Sequence, residues 1–189
     1  LLEHIMDGTQ RIESVVQQIK EYGKSGRSEE WDWVSVKAIC DSAVSFSRIL
    51  VSKYTDAFEY DCDTETPPLY AVRGLLEQAI VNLLKNACEA LPERSRRVCL
   101  MTGYDEEAET VSISVCDQGR GIDPKLAGRL GTAFNGGRNG DGGTGLGLSI
   151  VQTILEKHGG RLSFSSTQEF ATVARMELPL SPPEEQPSD

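Results

Sequence analysis

Eleven of the chain's 18 glycines fall between Gly119 and Gly147, and no other property of the 189 residues narrows the possible folds as far. Glycine loses more conformational freedom on folding than any other residue. A chain concentrates it where the backbone must approach something closely or must move. Phosphate is the ligand that most often meets such a backbone, through N–H groups exposed at the start of a helix. Within the stretch, Gly140-Asp-Gly-Gly-Thr-Gly145 spells G-x-G-x-x-G. No strand pattern precedes it and no acidic residue follows at the distance a ribose contact needs, so a dinucleotide-binding reading fails on context. The string G-x-x-x-x-G-K-[ST] does not occur, which removes the ordinary P-loop. What remains is a lid-like run ending in GGTGLGLSIV, where Gly145 to Gly147 open a helix.

Nineteen Lys and Arg against 29 Asp and Glu give a net charge of -10. A non-specific grip on nucleic acid or anionic lipid would work against that charge, so neither is expected as a partner and any polyanion must be held locally. The apolar runs fall far short of the roughly 20 residues a membrane-spanning helix needs, and no charged-then-apolar signal opens the chain. The five cysteines are odd in number, widely spaced and free of C-x-x-C pairs, which fits a reducing cytoplasm better than a disulfide framework or a zinc site. A first residue Leu1 inside a helical pattern reads as a piece of a longer parent, whose membrane attachment stays open.

Leu2, Ile5, Thr9, Ile12, Val16 and Ile19 follow heptad spacing with one polar position, which predicts a helix over 1–24 with a seam that needs a partner helix. Residues 25–30 read as a linker, 31–180 as the main domain, and 181–189, rich in proline and acids, as a disordered tail. The main domain is expected to contain strands near Val34, Phe58 to Cys62, Val98 to Thr102, Val111 to Cys116, Arg161 to Ser165 and Ala171 to Leu178. Helices are expected over about Val36 to Lys53, Val72 to Leu91 and Gly145 to Lys157. This order predicts an α+β fold, a two-layer α/β sandwich whose mixed, largely antiparallel sheet carries helices on one face.

Two further features carry chemistry. On the helix ending near Leu91, Leu76, Ile80, Leu83, Ala87 and Leu91 form the core stripe, while Gln78, Asn82, Asn86 and Glu89 group away from it at about 100° per residue. Asparagine is a mediocre helix former, and a neutral amide oxygen completes a Mg²⁺ shell beside phosphates without adding charge. The second is Asp117-Gln-Gly119-Arg-Gly121-Ile122, directly after a strand, where a buried carboxylate and flexible glycines suit the exocyclic amine of adenine lying flat on the backbone.

In order and spacing these strings resemble the ATP-binding domain of the GHKL superfamily, and within it the sensor histidine kinases of two-component systems, over about Leu69 to Pro179. LLEQAIVNLLKNACEAL resembles the asparagine box, DQGRGI the first glycine box, TAF the phenylalanine-containing box, GGTGLGLSIV the second glycine box, and FATVARMELPL the closing strand. The resemblance implies ATP and Mg²⁺ as ligands. It places Asn86 on the metal, Asn82 by the phosphates, Asp117 on the adenine amine and Thr172 beside it through a water. Gly119 and Gly121 would line the base pocket, with Gly143, Thr144, Gly145, Leu146 and Gly147 around the phosphates. Arg138 stands near where relatives carry a lid lysine, as a γ-phosphate contact.

ATP-hydrolysing relatives carry a glutamate one turn before the magnesium asparagine. Asn82 occupies that place here and cannot serve as a base near neutral pH, so transfer of the phosphoryl group to a side chain is expected rather than hydrolysis. Of the two histidines, His158 reads as part of a helix C-terminal cap whose imidazole favours the helix dipole. His4 lacks the following acid that activates a nucleophile. The first helix, through Gln10 to Gln18, instead resembles the second helix of the family's dimerisation hairpin, which puts the acceptor histidine upstream. A homodimer of the parent and a response-regulator receiver domain are the implied partners. A nucleotide-dependent switch without phosphotransfer and an anti-sigma-type serine kinase are the rival readings, with a true ATPase third.

Overall fold

The computed structural model describes residues 30–122 and 146–180. The expected helix over 1–24, most of the linker, the lid with Arg138, Gly143, Thr144 and Gly145, and the tail over 181–189 lie outside the described residues.

The chain enters through β1 (Asp32–Val34) and α1 (Val36–Tyr54), followed by β2 (Ala57–Asp61), β3 (Leu69–Ala71) and α2 (Arg73–Ala90). It continues through β4 (Arg97–Asp105), β5 (Thr110–Asp117), α3 (Leu146–Lys157), β6 (Arg161–Ser165) and β7 (Thr172–Pro179). The main sheet has five strands in the order β2-β4-β5-β7-β6. Only β2 and β4 run parallel, and every other neighbouring pair is antiparallel, in agreement with the mixed, largely antiparallel sheet expected from the sequence. The strand at Leu69–Ala71 is a departure. The chain turns at Thr64 and Glu65, earlier than the Thr66-Pro67-Pro68 turn that the prolines suggest, and the three residues after Pro68 pair antiparallel with β1 in a separate two-stranded sheet.

Alternation along the strands sorts the sheet's two faces. Val98 and Leu100 of β4, Val111, Ile113 and Val115 of β5, and Ala174, Met176 and Leu178 of β7 share one core with the three described helices. Their immediate neighbours Cys99, Cys116 and Val173 point the other way and form a small second cluster with Phe170. Helices therefore cover one face. Burying each Leu or Ile of that core contributes about 1.5–3 kcal/mol, before the entropy of ordering the chain.

α1 begins where the Ser35 side chain accepts from the Ala38 N–H at 3.4 Å and ends where the Thr55 N–H donates to the Val51 carbonyl. α2 buries Leu76, Ile80, Leu83 and Ala87 as the stripe predicts, and adds Leu75, Ala79, Leu84 and Cys88. Leu91 is only partly buried against this core. No side chain caps α2 at its own N-terminus. Instead the Val72 N–H donates to Nε2 of His158, just past the end of α3, at 3.0 Å. At the other end Gly147 of α3 lies beside Asn86, near the end of α2. α2 and α3 thus pack antiparallel.

His158 corrects its sequence reading. It does sit at the end of α3, where Gly159 adopts φ +67 and the Gly160 N–H returns to the Leu155 carbonyl. Yet the imidazole is buried, and burial lowers its pKa from the ordinary 6.5. Because Nε2 accepts from Val72, the ring proton is on Nδ1, which donates to the Ile154 carbonyl at 2.7 Å. The ring is a neutral bridge between helices, not a cation on a helix dipole.

Candidate nucleotide-binding site

The last residue of β5 is Asp117, and Thr172, the first of β7, is its register partner. Both are nearly buried, at 4% and 8% exposure. Burial pushes the Asp117 carboxyl above its ordinary range, while the Gly119 N–H, the Thr172 hydroxyl and the charge of Arg120 pull it back. The Gly119 N–H donates to Asp117 Oδ1 at 2.8 Å. A carboxylate held by few donors in a dry position keeps lone pairs to spare, and an N–H from a ligand suits them.

The two glycines after Asp117 are fixed by different constraints. A Cβ at Gly119 would lie 2.7 Å from the Ala90 carbonyl oxygen and 2.8 Å from the Ala90 Cβ. The loop is thus pressed against the C-terminus of α2, where the Arg120 N–H donates to the same carbonyl at 3.1 Å. Gly121 has φ +72, in the left-handed region that favours glycine, and faces Ala171.

The polar edge of α2 forms the other side. Asn82 and Asn86 are half-buried, and a Cβ at Gly147 would stand 3.6 Å from Asn86 Oδ1 and 3.8 Å from its Nδ2. The fold thereby brings the asparagine box and the second glycine box into contact. Among the described residues, Nδ2 of Asn82 is buried without a hydrogen-bond partner, as is Oε1 of Gln78 one turn earlier. Leaving a buried polar group unpaired costs about 1–3 kcal/mol, which a phosphate oxygen on Asn82 would recover. Neutral amide oxygens beside phosphates also suit Mg²⁺, so the residues present fit that ion. Glu89 is exposed and lies 3.9 Å from Lys85.

Asn82, Asn86, Asp117, Gly119, Gly121, Gly147 and Thr172 are therefore gathered at the end of the sheet where β5 stops and β7 starts, beside α2 and the start of α3. Leu146 begins α3, while Gly143, Thr144, Gly145 and Arg138 lie outside the described residues. Sequence reasoning left two participants unassigned: the Ala90 carbonyl, which no side-chain pattern reveals, and Gln118, hidden in the variable position of D-x-G-x-G.

The family described as "Histidine kinase-, DNA gyrase B-, and HSP90-like ATPase" matches residues 71–182. The chain belongs to this ATPase family. As a histidine kinase-like ATPase domain it is an ATP-binding unit, and its relatives are sensor kinases. It is 30% identical over 195 residues to the sensory histidine kinase/phosphatase NtrB of Rhodobacter capsulatus, a match that covers 97% of this chain and 53% of that protein. It is 29% identical to the signal transduction histidine-protein kinase AtoS of Escherichia coli, covering 90% of this chain and 27% of the relative. The chain thus spans between about a quarter and a half of these relatives' lengths. Its ATPase-family fold also matches that of histidine kinase ThkA, solved in complex with response regulator protein TrrA, at a TM-score of 0.72 and 24% identity over 96% of this chain and 51% of that one. Among the described residues no helix is long and apolar enough to cross a membrane.

Proposed function

We propose that this ATPase domain is the catalytic unit of a sensor histidine kinase, moving the γ-phosphoryl of Mg·ATP to a histidine outside these 189 residues. The observation that carries the reading is the contact of Asn86 with Gly147 at the start of α3, one turn from the buried Asn82 amide that has no partner among the described residues, together with the buried Asp117 at the end of β5. Asp117 accepts from the adenine amine, and Thr172 assists through a water. Gly119 and Gly121 let the base lie close to the backbone. Asn86 Oδ1 holds the metal, which neutralises phosphate charge, and Asn82 Nδ2 donates to a phosphate oxygen. N–H groups over Gly143, Thr144, Gly145, Leu146 and Gly147, with Arg138, hold the remaining phosphate oxygens.

Asn82 has no basic atom with which to activate water, which favours transfer over hydrolysis. His158 does not serve as the acceptor, because both its ring nitrogens are engaged within the fold. The names of the relatives, and a ThkA structure that contains a response regulator, support relay of the phosphoryl group to a receiver-domain aspartate. In this reading residues 1–24 supply one helix of a dimerisation hairpin, so the parent is a homodimer.

The test is incubation of the chain with γ-labelled ATP, Mg²⁺ and a separately produced hairpin carrying a histidine followed by an acid. Acid-labile, base-stable label on the hairpin and none on this chain is the expected result. Nucleotide binding without transfer would leave only a switch. Asn86→Ala is expected to weaken ADP binding about tenfold in the presence of Mg²⁺ and hardly at all in its absence, as measured by calorimetry.

A further inference from the structure

Gln118 follows the last residue of β5, and its main-chain N–H still donates to the Arg97 carbonyl at 3.0 Å. That bond carries the ladder with β4 one residue past the strand. The return bond has a different acceptor: the Arg97 N–H donates to the side-chain Oε1 of Gln118 at 3.1 Å. The side-chain amide thus takes the place of a backbone carbonyl, and the main chain is free to leave the sheet. It does so at once. The Gly119 N–H turns back to Asp117 Oδ1 and the Arg120 N–H crosses to the Ala90 carbonyl.

The other end of the same amide reaches a third segment. Nε2 of Gln118 donates to the Glu169 carbonyl at 3.2 Å. Glu169 belongs to a compact bend in which Thr167 Oγ1 accepts from the Phe170 N–H at 3.0 Å and the Thr167 N–H donates to the Phe170 carbonyl at 2.9 Å. Ala171, which faces Gly121, and Thr172, which is paired with Asp117, come directly after that bend. A planar amide with both ends bonded tolerates little sliding of the segments it joins.

The geometry points to Gln118 as the positioning residue of the adenine site, setting Thr172 and Ala171 against Asp117 by tying the β6–β7 bend to the point where β5 leaves the sheet. This assignment rests on the nucleotide-binding reading above. Reading an exocyclic amine requires its acceptor and the neighbouring hydroxyl to be held within about 0.5 Å of their working places. Guanine presents a carbonyl where adenine presents that amine, so loosening the site costs ADP more than GDP.

The experiment is calorimetric measurement of Mg·ADP and Mg·GDP binding to the whole chain and to Gln118→Ala and Gln118→Glu. Gln118→Ala is expected to lower the ADP-over-GDP preference about tenfold, with faster hydrogen exchange at the amides of residues 170–173. Gln118→Glu keeps an acceptor for Arg97 but loses the donor to Glu169, and is expected to fall between wild type and Gln118→Ala. Ile39→Val, a core truncation in α1 away from the bend, controls for simple destabilisation and should leave the preference unchanged. A folded Gln118→Ala with wild-type preference overturns the assignment. If that variant does not fold, wild-type preference in Gln118→Glu overturns it. A wild-type chain that binds ADP no better than GDP, or binds neither, refutes the nucleotide reading itself, whatever Gln118 does.

Discussion

At the scale of single residues, the site sets stability against binding. Burial raises the Asp117 carboxyl pKa, so the folded chain holds that proton to higher pH than the unfolded chain. The group's contribution to stability is therefore present at low pH and is lost as pH rises through the carboxylate range. Asp117→Asn removes that ionisation and is expected to raise Tm slightly at pH 7. It also weakens ATP binding about 10- to 100-fold, the scale of one hydrogen bond to a charged group. Differential scanning fluorimetry and calorimetry on the same sample check both signs. Residue identity alone made Asp117 and the asparagines legible, because a carboxylate at a strand end and two amides one turn apart on a helix are visible as strings. Gln118 was not, since its meaning lies in a main-chain N–H at Arg97 and a carbonyl at Glu169, distant in sequence and brought near only by the sheet.

At the scale of elements, two contacts fix how α2 meets its neighbours. Gly119 packs on the Ala90 backbone with no room for a methyl group. Gly119→Ala is expected to cost about 1–3 kcal/mol in urea denaturation and to abolish measurable nucleotide binding, because the obstacle is backbone and cannot rotate away. His158 supplies the other contact. Its folded pKa is depressed, so the unfolded chain binds a proton first, and this bridge's stability is complete above about pH 6.5 and is lost as pH falls below it. His158→Phe is expected to remove that acid-side slope and, by stranding the Val72 N–H, to cost about 1–3 kcal/mol at pH 7. Helix stripes and strand alternation made α1, α2, α3 and most strands readable to within a few residues. The misses have physical causes. β3 has three residues after two prolines, too few to show a period, and the imidazole of His158 finds its partner 86 residues away.

At the scale of the whole molecule, the net charge of -10 opposes the approach of an anionic nucleotide until local donors take over. The association rate for Mg·ATP is therefore expected to rise about two- to threefold between 10 and 150 mM salt, as screening shortens the reach of that repulsion; stopped-flow with a fluorescent analogue measures it. The two-layer architecture follows from the order of elements, as expected. The parallel β2–β4 pairing does not, because strand direction is settled by which helix fills the crossover and not by the strands' own residues. The antiparallel union of α2 and α3 has a mechanical consequence. Their contact at His158 lies about 18 Å from the first residue of α3, the length of a 12-residue helix. A tilt of α3 by about 5° around that contact would carry Gly147 roughly 1.4 Å from Asn86, while the imidazole and Val72 would scarcely part. Such a tilt would widen the gap between the start of α3 and the polar edge of α2 with almost no displacement of the buried imidazole.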